Sequence, residues 1–165
     1  LSPTINLFLI NPDFAEFCLH LDYYLSARLS FIESNCGYPV AELIGDGKEI
    51  PTITVHFNHD TENDEAERKW ESRKDRINRD NLFIMLYNLD GITVEKLHEL
   101  ETVDCRNRVV FTCYPLPEVS WSYYIKPRMR YKYPYNYIGK DALGIRHYEK
   151  KFDFVGFLNG DKIHK

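Results

Sequence analysis

No apolar run in the 165-residue chain approaches the ~18 residues that a membrane span needs, so no transmembrane helix is expected. Glycine and proline are scarce, eight of each, which excludes collagen-like and low-complexity architectures. Cysteine is limited to Cys18, Cys36, Cys105 and Cys113, with no CxxC pair and no zinc-type spacing. Cys18 falls on an apolar helical stripe and Cys113 closes an apolar run. The four are therefore expected as buried free thiols, which suits a reducing cytoplasm. Neither GxGxxG nor GxxxxGK(S/T) occurs, so both phosphate-cradling glycine fingerprints are missing. There is no internal repeat. The chain also opens on Leu1 instead of methionine, from which a missing native N-terminal segment is expected.

What is present is a generous supply of core-forming residues. Apolar side chains make 44% of the chain and charged ones 28%, the balance of a soluble globular protein and not of a disordered one. At this length one domain spanning 1–165 is expected, able to bury roughly 70% of its unfolded surface. Aromatics reach 15%. Charge and tyrosine are unevenly spread. The net charge of −4 hides an acidic 1–120 and a basic, tyrosine-rich 121–165, which is read as an elaboration of the one domain.

Periodicity supplies the elements. Thr4–Ile10, Tyr38–Leu43, Ile50–Phe57, Leu82–Tyr87 and Arg108–Cys113 read as strands, being apolar or β-branched runs of strand length. Asn11-Pro12-Asp13 starts a helix carried to about Ser26 by Phe14, Phe17, Cys18, Leu21 and Leu25. A polar helix is expected over 62–79, a short one over Thr93–Glu101 capped by Thr93, and a last turn or two over Asp153–Leu158. Strands alternating with helices, several apolar on both faces, imply an α/β fold, a three-layer α/β/α with a mixed, partly parallel sheet.

The polar helix carries the most chemistry. At 100° per residue Ala66, Trp70 and Ile77 form a narrow core-facing stripe, and Arg73 falls inside it. Lys69 and Arg76 flank that stripe. A guanidinium pointed at a core must find a carboxylate, a carbonyl or an anionic ligand. Two readings follow: an internal ion pair, with Asp80 or another aspartate, or a site for a phosphate or carboxylate group. Just upstream, His56-Phe57-Asn58-His59-Asp60 leaves a strand. His56 and His59 are candidate general bases, with hydrogen-bonded structural histidines as the plainer alternative. His56, His59 and Asp60 lack a ligand spacing that fixes a metal, so none is assigned, nor any cofactor.

Trp121–Tyr137 reads WSYYIKPRMRYKYPYNY. Tyr123, Tyr124 and Tyr131, interleaved with Arg128 and Arg130, suit stacking on a sugar or base with cations beside a phosphate. A half-buried strand pair explains the same alternation through packing alone. Nucleic acid is not the expected partner, since the whole chain is acidic and carries no nucleic-acid motif. Oligomeric state is not legible.

The stretch ITVHFNHDTENDEAERKWESRKDRINRDNLFIMLYNLDG strongly resembles the bacterial domain of unknown function 1919 family. The match rests on His59, Ala66, Lys69-Trp70, Arg73, Arg76-Ile77-Asn78, Asn81 and Asp90-Gly91, supported by Asp22–Leu25, Val109–Thr112 and Tyr148–Asn159. Members are often labelled exopolysaccharide or capsular polysaccharide biosynthesis proteins. They usually begin with a further strand-forming segment, containing asparagine, tryptophan and glycine, that this chain lacks. The resemblance implies a three-layer α/β fold and a cytoplasmic place in surface polysaccharide assembly. A transferase using a nucleotide-sugar or acyl donor and a saccharide acceptor is the leading expectation, with a non-catalytic carbohydrate-binding factor as the alternative. In the first picture Lys69, Arg73 and Arg76 hold donor anions with Asn78 and Asn81 beside them, and His59 or His56 is the base. The tail tyrosines then face the acceptor.

Overall fold

A computed structural model of the chain describes residues 4, 6–87, 89–126 and 148–161. They form an α/β fold in which the chain divides into two compact units, 1–78 and 79–165. Each unit has its own three-stranded sheet, antiparallel in the first and parallel in the second. Parallel and antiparallel pairing are thus both present, in separate sheets.

In the first unit, α1 (Asn11–Leu19) and α2 (Leu21–Ser26) precede β1 (Leu29–Ile32), β2 (Val40–Leu43), β3 (Ile53–His56) and α3 (Asn63–Lys74). The strands pair in the order β1-β2-β3. The expected helix to Ser26 is interrupted at His20, whose backbone leaves the helical region (φ −117, ψ 38). No glycine or proline marks that break. The apolar stripe nevertheless carries through, with the Phe17 ring 6.1 Å from Tyr24. The described residues of Thr4–Ile10 contribute one bridge, in which Phe8 and His56 exchange both backbone hydrogen bonds at 2.9 Å. β1 has no counterpart among the strands expected from sequence, because its half-exposed alternation lacks an apolar run.

The core of this unit gathers Phe17, Tyr24, Leu43, Ile53, Val55, Phe57, Ala66 and Trp70. Val55 and Phe57 are fully buried while His56 between them is not, as strand alternation requires. Below them α3 lies on Ala66, Trp70 and Arg73. Acidic Asp64 and Glu65 in its first turn and basic Arg73 and Lys74 in its last suit the helix dipole. The helix stops at Lys74, short of Arg79. Arg76 and Ile77 bond back three residues, to Arg73 and Lys74, so the end tightens instead of extending. A helix this polar persists only while it has core to rest on.

The second unit runs β4 (Phe83–Leu86), α4 (Val94–Glu99), β5 (Asn107–Thr112), β6 (Ser122–Tyr124) and α5 (Phe154–Asn159), in the sheet order β4-β5-β6. Thr93 caps α4 as expected, accepting from the Lys96 amide at 3.2 Å. Asp153 does the same for α5, accepting from Gly156 at 2.9 Å. Val109, Phe111 and Ile125 pack with Tyr148, Phe152 and Phe157. The described part of the basic third, 121–126 and 148–161, therefore completes this core. The rest of the tyrosine-rich run lies outside the described residues.

All four cysteines are free. Cys18 is buried, Cys105 and Cys113 are half-buried, and Cys36 is exposed, so the expectation of burial fails at Cys36. Cys36 sits in the turn before β2, away from any apolar run.

Candidate functional site

β3 ends at His56, Phe57 anchors the chain in the core, and Asn58-His59-Asp60 turns it towards α3. The turn closes with the Asp60 amide donating to the Phe57 carbonyl at 2.9 Å. That geometry turns His59 to solvent and seals the Asp60 carboxylate inside, its side chain 1% exposed. Lys69, two turns into α3, reaches back to Asp60 Oδ1 and also pairs with Glu65 at 2.8 Å. The Asp60 and Glu65 carboxylates hold the Lys69 ammonium above its ordinary pKa. Its charge is committed within the fold.

Arg73 is one helical turn further along the same flank. It is 6% exposed, and its Nη1 is buried with no hydrogen-bond partner among the described residues. Among the described residues it forms no ion pair. The internal pair offered as the plainer explanation of Arg73 is therefore not formed there. Two more buried polar atoms of this region are unpartnered, Trp70 Nε1 and Asp60 Oδ2. Leaving such groups unsatisfied costs about 1–3 kcal/mol each, more when charged, so native proteins rarely do so without reason.

His56 occupies a different environment. Its ring stacks on Phe8 (4.4 Å, 3° between planes) and meets Tyr38 edge-on at 6.2 Å. Burial lowers its pKa, while the Asp13 carboxylate opposes that shift. Asp13 is itself pushed up by burial, despite accepting the Thr54 amide at 2.9 Å. Sequence reasoning missed Asp13 in this role, having read it as part of a helix start. It also considered Asp60 only as a metal ligand. The pairing of Asp60 with Lys69 had one signal, an acidic residue leaving a strand just before a basic helix.

The remaining expected site residues fall partly in the first unit and partly in the second. Arg76 is exposed, its Nε donating to the Ser72 carbonyl at 2.8 Å, and Asn78 is exposed beyond the helix. Asn81 belongs to the second unit, where it accepts from Arg106 at 3.2 Å. Tyr123 packs on Phe111 and Phe152, and its hydroxyl donates to the Lys151 carbonyl at 2.6 Å. Tyr124 ends β6 and is 44% exposed. Arg128, Arg130 and Tyr131 lie outside the described residues. The structure thus joins Asp60 to Lys69, with Trp70 and Arg73 following Lys69 on the buried side of the same helix and His59 next to Asp60 in the chain.

Fold and site together define an α/β protein with a buried arginine, unpaired among the described residues, on the same helix as the lysine of a lysine–aspartate pair. The chain belongs to the domain of unknown function 1919 family, whose model matches residues 1–159. It is also similar to an uncharacterised protein of Haemophilus influenzae strain Rd. Identity is 31% over 158 residues, covering 96% of this chain and 73% of that protein. Among the described residues no helix is long and apolar enough to cross a membrane.

Proposed function

We propose that this chain is a surface polysaccharide biosynthesis protein, a cytoplasmic transferase that holds the anionic group of an activated sugar or acyl donor at Arg73. One observation carries the anion site: Arg73 is buried with Nη1 unpartnered, while the neighbouring Lys69 is already neutralised. Arginine presents a planar fork of donors that matches phosphate and carboxylate oxygens. An anion there supplies the partner the fold withholds. Lys69 acts by fixing Asp60, not by meeting the donor. In this reading His59, exposed and next to Asp60 in the chain, takes a proton from an acceptor hydroxyl. The pathway assignment follows the labels carried by members of the family that the sequence resembles.

The test is thermal denaturation of the full chain with a panel of nucleotide-sugars and acyl-CoA thioesters. A donor at about 100 times its Kd stabilises by roughly 2.7 kcal/mol, a shift of several degrees at this size. The expected result is such a shift with at least one donor, lost in Arg73→Gln. Turnover of that donor, lost in His59→Ala, identifies the transferase; binding without turnover identifies a carbohydrate-pathway binding protein. A shift preserved in Arg73→Gln overturns the site.

A further inference from the structure

The unpartnered atoms near Arg73 are of both kinds, and that constrains what fits. Arg73 Nη1 and Trp70 Nε1 are donors, whereas Asp60 Oδ2 is an acceptor that takes no bond from any described residue. All three side chains are more than nine-tenths buried. They are also linked: Lys69 ties Asp60 to the second turn of α3, and Trp70 and Arg73 follow on that helix at one and four residues. An anion with no proton of its own satisfies Arg73 but leaves Asp60 Oδ2 bare. A ligand that satisfies both carries a hydroxyl close to its anionic group.

Resting on the anion-site reading above, we infer that this site takes a hydroxylated phosphate ester. Its phosphate oxygens accept from Arg73, and its hydroxyl donates to Asp60 Oδ2. Lys69 is the positioning residue that holds the carboxylate so that its second oxygen stays free. A hexose phosphate and a nucleotide ribose share this chemistry.

The experiment is calorimetric titration of the full chain at pH 8, where phosphate monoesters are dianions without a proton. The ligands are methyl phosphate, a hexose 1-phosphate and a nucleoside 5′-monophosphate. In the wild type one hydroxylated ester is expected to bind at least roughly tenfold more tightly than methyl phosphate, the worth of one hydrogen bond to a charged group. Whichever ester gains the tenfold identifies the source of the hydroxyl. Asp60→Asn should reduce the ratio to about one, because its carboxamide oxygen stays with Lys69 and its NH2 replaces the free acceptor. Equal binding of all three ligands to the wild type, abolished by Arg73→Gln, overturns the hydroxyl contact and leaves the anion site standing. Binding that survives Arg73→Gln, or no binding at all, overturns both. The wild-type ligand series decides the matter even if Asp60→Asn fails to fold.

Discussion

Lys69 and Asp60 form an ion pair between a helix and the strand exit preceding it, with the carboxylate sealed and the ammonium 32% exposed. Removing Lys69 leaves a buried carboxylate without its counter-charge. Lys69→Met is expected to destabilise the fold, though by less than breaking a fully buried pair would, because Lys69 is partly solvated. Urea denaturation checks this, and Asp60→Asn in the same background should recover most of the loss. The raised Lys69 pKa sets the pH window. Its contribution is fully present below the ordinary lysine value of about 10.4 and is lost as pH rises through the higher folded value. Lys69→Met should flatten that alkaline decline.

Arg73 behaves oppositely. Methionine keeps its unbranched stem and removes a buried charge that pairs with no carboxylate among the described residues. Arg73→Met should leave the unliganded protein as stable as the wild type, or more stable by about 1–2 kcal/mol, while abolishing ligand-induced stabilisation. A loss of about 3 kcal/mol in urea denaturation would reveal an internal partner and remove the anion site.

His56 should titrate below the ordinary histidine value of about 6.5, because burial disfavours the imidazolium. Such a group contributes stability above its unfolded pKa, and that contribution is lost as pH falls through the folded one. In Asp13→Asn the opposing carboxylate is gone, so the His56 midpoint should fall further. Proton NMR titration of the imidazole reads both; an upward move in Asp13→Asn would contradict the arrangement.

Thr112, at the end of β5, buries a hydroxyl with no hydrogen-bond partner among the described residues. Thr112→Val replaces it with a methyl of similar shape. Equilibrium unfolding should show no loss, or a gain of up to about 1 kcal/mol, since an unsatisfied buried polar group is removed. A loss above 1 kcal/mol would mean the hydroxyl has a partner in solution.

Gly45 opens the turn between β2 and β3, where an added Cβ would stand 2.0 Å from the Ile50 carbonyl oxygen. Backbone cannot swing aside as a side-chain end does. Gly45→Ala should therefore destabilise by about 3 kcal/mol or more, whereas Gly47→Ala meets no atom within 4 Å and pays only for its positive φ (+73), about 1 kcal/mol. Comparing the two midpoints in urea separates close approach from backbone conformation.

The placement of Arg73 on the buried side of its helix was readable from spacing alone, because 3.6-residue periodicity is a local property of the chain. So was the cap at Thr93, which acts over three residues. β1 was not readable, since half-exposed strands owe their existence to the neighbours they pair with. Nor was the boundary between Asn78 and Asn81, which are three residues apart in sequence yet belong to different units. The helix break at His20 has no local mark either.

By itself, then, the sequence determined the α/β class, the amphipathic faces and the family, all written in short-range patterns of residue type. Tertiary structure alone decided which charges cancel. Lys69 and Arg73 are equivalent cations one turn apart, and only the path of Asp60 back onto α3 neutralises the first and leaves the second. Pairing of charges depends on distances across the fold, which no local spacing encodes.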